Sequence, residues 1–176
     1  MDNVTTEIAF RVAKPEESAM LAQLTEQTFR ESWTEEGNEA DVDQYVSESF
    51  AASVMSKELA NPAISYLLAL NSNNAVAYCK LERNLQPDNH ELEKTISISR
   101  VYVSKAFHNK QIGSELLKRS IELAQQEKFK TIWLGVWNEN HSAIRLYERF
   151  GFVRFGTYQF IMGTAVSNDY LMMRLV

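Results

Sequence analysis

Behind Pro15, the positions Met20, Leu21, Leu24, Thr28 and Phe29 recur at helical spacing, which predicts a helix from about residue 15 to residue 33. Residues 7–13 ahead of it read as a first strand. After Asp41, Val42, Tyr45, Val46 and Phe50 share one face of a second helix, and a further helical turn over 53–60 ends at Asn61-Pro62. Two short apolar runs, 64–70 and 75–81, flank the turn-forming cluster Asn71-Ser72-Asn73-Asn74, so they pair as an antiparallel hairpin. A polar loop containing Pro87 spans 85–93, and a longer strand covers 95–103. Ile112, Leu116, Leu117, Ile121 and Ala124 define an amphipathic helix, with Glu115 placed to pair with Arg119. Residues 131–137 are nearly unbroken apolar sequence, as in a central strand covered on both faces. A short helix over 140–150 turns Ala143, Ile144, Tyr147 and Phe150 inward, and strands near 152–161 and 169–175 close the chain.

The resulting order, β-α-α-β-β-β-α-β-α-β-β, is an α/β (α+β) pattern, and its strand-helix-strand unit over 95–137 implies parallel neighbours. With no internal repeat or linker, residues 1–176 are expected to form a single domain.

Composition narrows the function. No stretch reaches the roughly 20 apolar residues that span a bilayer, and the first residues carry Asp2 and Glu7 where a signal peptide would be basic and then apolar. A cytoplasmic protein with no membrane partner is expected. A net charge of −5 argues against nucleic acid, whose binding needs basic patches, and suits a cationic substrate better. Cys79, the lone cysteine, sits in an apolar run and reads as a small core residue. His90, His108 and His141 are scattered with no ligand spacing, so no metal is expected.

The most informative stretch is Asn140-His-Ser-Ala143-Ile144-Arg-Leu-Tyr147-Glu148-Arg-Phe-Gly151-Phe152. It resembles the N-x-x-A-x-x-L-Y-E-x-x-G-F segment of the GNAT acetyltransferase superfamily, and residues 95–128 resemble that family's cofactor-binding strand and helix. Thr28-Phe29, the segment from Tyr45 to Phe50, Trp133 to Trp137, Gly156, Phe160 and Met162-Gly163 are similar to the PaiA-type spermidine/spermine N-acetyltransferases. The resemblance implies a centrally splayed mixed sheet of about seven strands with about four helices. It also implies acetyl-CoA as cosubstrate and a small-molecule amine, such as a polyamine, as acceptor.

A strand that runs into a polar turn and then a helix offers free backbone N–H groups and a positive dipole end to a polyanion. His108, Asn109, Lys110, Gln111, Ile112, Gly113 and Ser114 occupy that place here. The family pattern is Gln/Arg-x-x-Gly-x-Gly/Ala, and this chain keeps only Gly113, with Gln111 where the first glycine is wanted. A glutamine there strains the turn but leaves its backbone amide available. Taken alone, such a turn is more often just a plain helix start.

By resemblance, Val101, Tyr102 and Val103 line the pantetheine arm, with the Val101 N–H facing the thioester oxygen, where such a donor stabilises the developing oxyanion. Asn140 would bind the arm from the other side, a role that can coexist with capping the helix after it. Tyr147 would be the general acid: a phenol near ~10 suits a departing thiol near ~8.5. The alternative for Tyr147 is a core tyrosine with a satisfied hydroxyl.

The base is missing where the family often has a strand glutamate; those positions are Ser97 and Ser99, leaving water relay to a carboxylate such as Glu82. Glu31, Glu35, Glu36, Glu39, Asp41 and Asp43, with Trp33 and Tyr45, form a stretch that either draws in a polycation or is simply solvated. Trp33, Glu36, Tyr45 and Glu82 are therefore the expected acceptor contacts. The expected reaction is direct transfer of acetyl to a primary amine in a ternary complex. Its rivals are another amine, such as a protein N-terminus or an aminoglycoside, and a non-catalytic acyl-CoA-binding module. The aromatic-rich terminal strands suit a homodimer as well as a finished core.

Overall fold

The computed structural model describes residues 7–33 and 39–176. Its elements run β1 (Ile8–Val12), α1 (Ser18–Ser32), α2 (Glu39–Ser49), α3 (Ala52–Leu59), β2 (Ile64–Asn71), β3 (Asn74–Arg83), β4 (Thr95–Val103), α4 (Ile112–Gln126), β5 (Thr131–Trp137), α5 (His141–Arg149), β6 (Val153–Met162) and β7 (Ala165–Leu175). The seven strands form one sheet in the order β1-β2-β3-β4-β5-β7-β6. Among the described residues only β4 and β5 pair in parallel, joined through the crossover helix α4. The sequence separates α2 from α3 less clearly than the fold does, so that five α-helices rather than about four are present among the described residues. β7 also begins at Ala165, four residues ahead of its expected start.

Alternation along the strands builds two apolar layers. Leu67, Ala69, Cys79, Ile96, Ile98, Ile132 and Leu134 face α4 and α5, whose Leu116, Ile121, Ile144 and Tyr147 complete that core. Tyr66, Leu68, Tyr78 and Met162 face the other way, onto Leu21, Leu24 and Phe29 of α1, Val46 of α2 and Met55 of α3. Such two-sided covering is what makes the central strands nearly continuous hydrophobic runs.

Two irregularities in β4 set up the site. Its pairing with β3 shifts register between Lys80↔Arg100 and Leu81↔Ile98, so Ser99 is the extra residue of a bulge. The bulge resets the alternation, which is why Ile96 and Ile98 before it and Val101 and Val103 after it all meet the same core layer. Its pairing with β5 covers only Thr95↔Thr131 to Ile98↔Leu134. Beyond the bulge the two strands part, β5 following β7 to Trp137↔Asp169 while β4 stays with β3 to Val103↔Ala77. Among the described residues no helix is long and apolar enough to cross a membrane.

Candidate active site

At the parting of β4 and β5 the first resource is backbone. Ser104 donates its N–H to the Val76 carbonyl of β3 at 2.9 Å. Because amides alternate along a strand, Tyr102 also donates towards β3, whereas the N–H groups of Val101 and Val103 face the gap that β5 leaves.

The second resource is the turn into α4. The His108 ring fastens it to the end of β4, with Nε2 2.8 Å from the Val103 carbonyl. Asn109 and Gln111 both adopt left-handed backbone, with φ of 61° and 60°. Gln111 is the N-cap of α4 and its side chain makes no capping bond. The amides of Ile112, Gly113 and Ser114 thus start the helix without intrahelical acceptors, the first helical bond being Glu115 N–H to Gln111 O at 3.0 Å. Lys110 adds a positive charge there, its Nζ 4.8 Å from the Phe107 ring. The strain anticipated for Gln111 is real, since left-handed backbone costs a side-chain-bearing residue roughly 1–2 kcal/mol, yet the helix end stays open. A Cβ added at Gly113 would meet only Val103 Cγ2, at 3.8 Å, so the protein itself leaves room there.

The third is α5. Asn140 caps it, its Oδ1 accepting from Ala143 N–H and Ser142 Oγ at 3.2 Å each. Its exposed amide nitrogen has no protein partner among the described residues. Tyr147 lies on the inner face, 7% exposed, with its ring 5.9 Å from Phe152. Its hydroxyl makes no hydrogen bond, but it is absent from the buried polar side-chain atoms that lack a partner, which are Tyr78 OH, Thr95 Oγ1 and Arg100 Nη1. The hydroxyl is therefore not hydrogen-bonded, on a side chain that is almost wholly buried. Burial, then the proximity of Cys79 and Tyr102, pushes its pKa above the ordinary phenol value. Cys79 is paired with Val101 across β3 and β4, so the hydroxyl lies towards the strand whose amides face the gap. Cys79 itself is fully buried beside Ser120 Oγ at 3.3 Å, and burial pushes its thiol up to about 12, as befits a structural residue.

The opposite face of β4 is aromatic. Tyr45 stacks on Phe29 at 4.9 Å and meets Phe160 edge-on at 5.9 Å; Trp33 lies 5.8 Å from Phe29, and Tyr102 stacks on Tyr78 at 5.8 Å. Trp33 and Tyr45 thus both lie against Phe29, whereas Glu36 lies outside the described residues. Sequence reasoning missed Arg100, whose guanidinium lies 4.8 Å over Phe50 and donates to Tyr45 OH at 3.3 Å. The broken alternation at Ser99-Arg100 was the available signal.

Glu82 is poorly suited to take a proton. Burial raises its pKa, but Lys80, 2.9 Å away, together with Ser99 and Arg100, outweighs that and holds it below the usual carboxylate range. Ser97 and Ser99 face each other at 3.3 Å. Of the acidic stretch, Glu35, like Glu36, lies outside the described residues, and three others fasten elements together: Glu31 accepts from Lys105 N–H at 2.7 Å, Asp43 pairs with Arg30 at 2.8 Å, and Asp41 accepts from Thr164 N–H and Oγ1 at 2.8 Å each. Among the described residues, no group of three or more His, Cys, Asp or Glu is clustered to hold a metal ion.

The family model of the GNAT acetyltransferases matches residues 19–152, which include the gap, the α4 turn and the α5 segment. The chain belongs to the GNAT acetyltransferase family. By that membership it is an N-acetyltransferase that depends on acetyl-CoA. It is similar to an uncharacterised N-acetyltransferase of Lactobacillus delbrueckii subsp. lactis, 23% identical over 150 residues that cover 85% of this chain and 86% of the relative. A spermine/spermidine N(1)-acetyltransferase of Bacillus subtilis is 39% identical, but over 56 residues only, 31% of this chain and 37% of that one. Among solved structures, the PaiA N-acetyltransferase of Thermoplasma acidophilum, in complex with coenzyme A, superposes with a TM-score of 0.78 over 97% of this GNAT chain and 99% of the other, at 17% identity.

Proposed function

We propose that acetyl-CoA lies in the gap between β4 and β5 and gives its acetyl group directly to a primary amine that enters from the aromatic face. The observation that carries this is the early end of the β4/β5 pairing at Ile98↔Leu134, which leaves two strand amides without a sheet partner in the family's cofactor segment. Val103 N–H holds the pantetheine arm as an added strand would, and Val101 N–H donates to the thioester oxygen as it gains charge, an effect commonly worth about 3 kcal/mol. Ile112, Gly113 and Ser114 amides, with Asn109, Lys110 and Gln111 around them, receive the pyrophosphate. Asn140 keeps its cap through Oδ1 and offers its amide nitrogen to the arm.

Tyr147 protonates the departing sulfur. Its raised pKa does not spoil the match, because a thiolate leaving in the same poorly solvated place has its own pKa raised by the same cause, as Cys79 illustrates.

A polyamine is the acceptor reading with specific support: the short match to a spermine/spermidine acetyltransferase and the likeness to the PaiA enzyme. Arg100, a fixed cation on the acceptor face, works against a wholly cationic guest. An assay of acetyl-CoA with spermidine, kanamycin and a peptide N-terminus tests both levels. Acetylation of spermidine at least tenfold faster than the others supports the polyamine; acetylation of another amine retains the reaction and removes the polyamine; acetyl-CoA binding without transfer to any amine overturns the reaction.

A further inference from the structure

One carboxylate on the acceptor face forms no ion pair among the described residues. Asp169 of β7 is 8% exposed, and among the described residues no Lys, Arg or His side chain pairs with it. Its neighbours are hydroxyls: Ser167 Oγ donates to Oδ1 at 2.8 Å, and the phenol of Tyr158 of β6, its cross-strand partner, is near enough to feel the carboxylate's charge. Burying a carboxylate is expensive unless a counter-charge is supplied.

The strands put this pair at the mouth of the gap. Phe160 and Met162 pack into the layer of α1 to α3, and Tyr158, on the same strand with unbroken register, shares their face. Asp169 is paired with both Tyr158 and Trp137, so all three side chains stand on that side of the sheet. From β6 the Tyr158 ring reaches across β7 to β5: a Cβ added at Gly135 would lie 2.7 Å from both its Cε1 and its hydroxyl oxygen. Gly135 is the first residue of β5 beyond the last parallel pair, Ile98↔Leu134. A side chain at position 135 would push the phenol away from this point, where the thioester arm and the acceptor would meet.

We propose that Asp169 and Tyr158 form the seat for the acceptor's ammonium group and that Asp169 is the proton acceptor the reaction needs. This rests on the acetyltransferase reading above. The ammonium donates to the Tyr158 oxygen while the Tyr158 hydroxyl donates to Asp169, so a proton passes to the carboxylate with the phenol staying neutral. The freed nitrogen lone pair then forms the N–C bond to the thioester carbonyl carbon, and the C–S bond breaks. The second nitrogen proton leaves as the amide forms and balances the proton delivered to sulfur by Tyr147; the one held by Asp169 passes to solvent. The titratable groups that face this seat are Tyr158 itself, Tyr102 and Arg100 of β4 and Tyr45 of α2. Burial, and then the adjoining carboxylate, keeps the Tyr158 pKa above the usual phenol value, which suits a relay that never ionises.

The test compares wild type, Asp169→Asn and Tyr158→Phe with acetyl-CoA and four acceptors: spermidine, kanamycin, an alanyl peptide and n-butylamine. For the best acceptor, kcat of Asp169→Asn falls about 100-fold at pH near 7, with acetyl-CoA affinity by calorimetry within about twofold of wild type. The deficit shrinks towards tenfold or less as pH approaches that of free alkylamines, about 10, because a neutral amine needs no base. Tyr158→Phe shows the same pattern about tenfold more weakly. A deficit that is constant across pH marks a structural role and overturns the proposal, as does activity within about threefold of wild type. Should wild type acetylate none of the four, spermidine and n-butylamine are titrated into the coenzyme A-loaded protein. Binding lost in Asp169→Asn then supports the seat while the transfer reaction fails. Equal binding in both proteins, or binding in neither, overturns the seat.

Discussion

The two sides of the gap are built on different principles. On the α4 and α5 side, the contacts offered to a cofactor are mostly main-chain amides, of Val101 and Val103 and of the first turn of α4, supplied by two consecutive elements. On the acceptor side, Trp33 follows the last turn of α1, Tyr45, Arg100, Tyr158 and Asp169 come from α2, β4, β6 and β7, and their chemistry is entirely in side chains. A backbone site needs a particular chain geometry and so leaves a contiguous pattern of strand, turn and helix start. A side-chain site assembled from five segments leaves none. Under the proposed function, side-chain changes are expected to alter acceptor binding more than cofactor binding.

Perturbing each side should separate these two kinds of site. The largest effect is expected for Tyr147→Phe: kcat falls by about 100-fold while acetyl-CoA affinity, measured by calorimetry, stays within about twofold. Because the lost hydroxyl has no hydrogen-bond partner, thermal stability should not fall by more than about 0.5 kcal/mol. Unchanged turnover across pH rejects Tyr147 as the proton donor.

Next in size, Asp41→Ala removes the two hydrogen bonds that tie α2 to Thr164 in the β6–β7 turn. A loss of about 1–2 kcal/mol in urea unfolding is expected, with the acceptor KM raised several-fold and the acetyl-CoA KM unaltered. Equal shifts in both KM values would erase the division between the two sides.

Gln111→Gly acts on the cofactor side alone. It relieves left-handed strain but adds freedom to the unfolded chain, so a net gain of about 0.5–1 kcal/mol is expected in thermal unfolding, and acetyl-CoA binds a few-fold more tightly. Loss of stability would show that the glutamine side chain contributes something in the turn.

The smallest effect lies far from the gap, at the corner between β1 and α1. The hydrogen bond and charge of Arg11 hold Glu17 down to about 2 from its ordinary 4.5, against burial. A carboxyl depressed in the folded state contributes stability above its unfolded pKa and loses it as pH falls from there towards 2. With Arg11 over a third exposed, about 1 kcal/mol is expected, read as the difference between wild type and Glu17→Gln in urea melts at pH near 6 that disappears near pH 2.

Legibility in the sequence follows the same division. The bounds of β4 and β5 were legible because each ends at polar, turn-forming residues, β5 as a nearly unbroken apolar run and β4 as an alternating one. The segment from Asn140 to Phe152 was readable because one short helix carries cap, inward phenol and terminal glycine at fixed spacing. Asp169 was visible only as a residue near the start of a terminal strand; that it stands opposite Tyr158, over Gly135, depends on a register between β5, β7 and β6 that no local pattern encodes. Of the acidic stretch, Glu31, Asp41 and Asp43 are drawn into structural bonds with residues up to 123 positions away, which the local run of charge does not encode. The bulge at Ser99 sits between these cases: the break in alternation is in the sequence, but its consequence needs the neighbouring strand.

The most direct measurement is an amide NMR titration of the isotopically labelled protein with acetyl-CoA. Residues whose N–H groups face the gap should respond together: the largest shifts should fall on Val101 and Val103 and on Ile112, Gly113 and Ser114 at the start of α4, with Asp169 nearly unmoved until an amine is added. Saturable binding that leaves the Val101 and Val103 signals in place would contradict it.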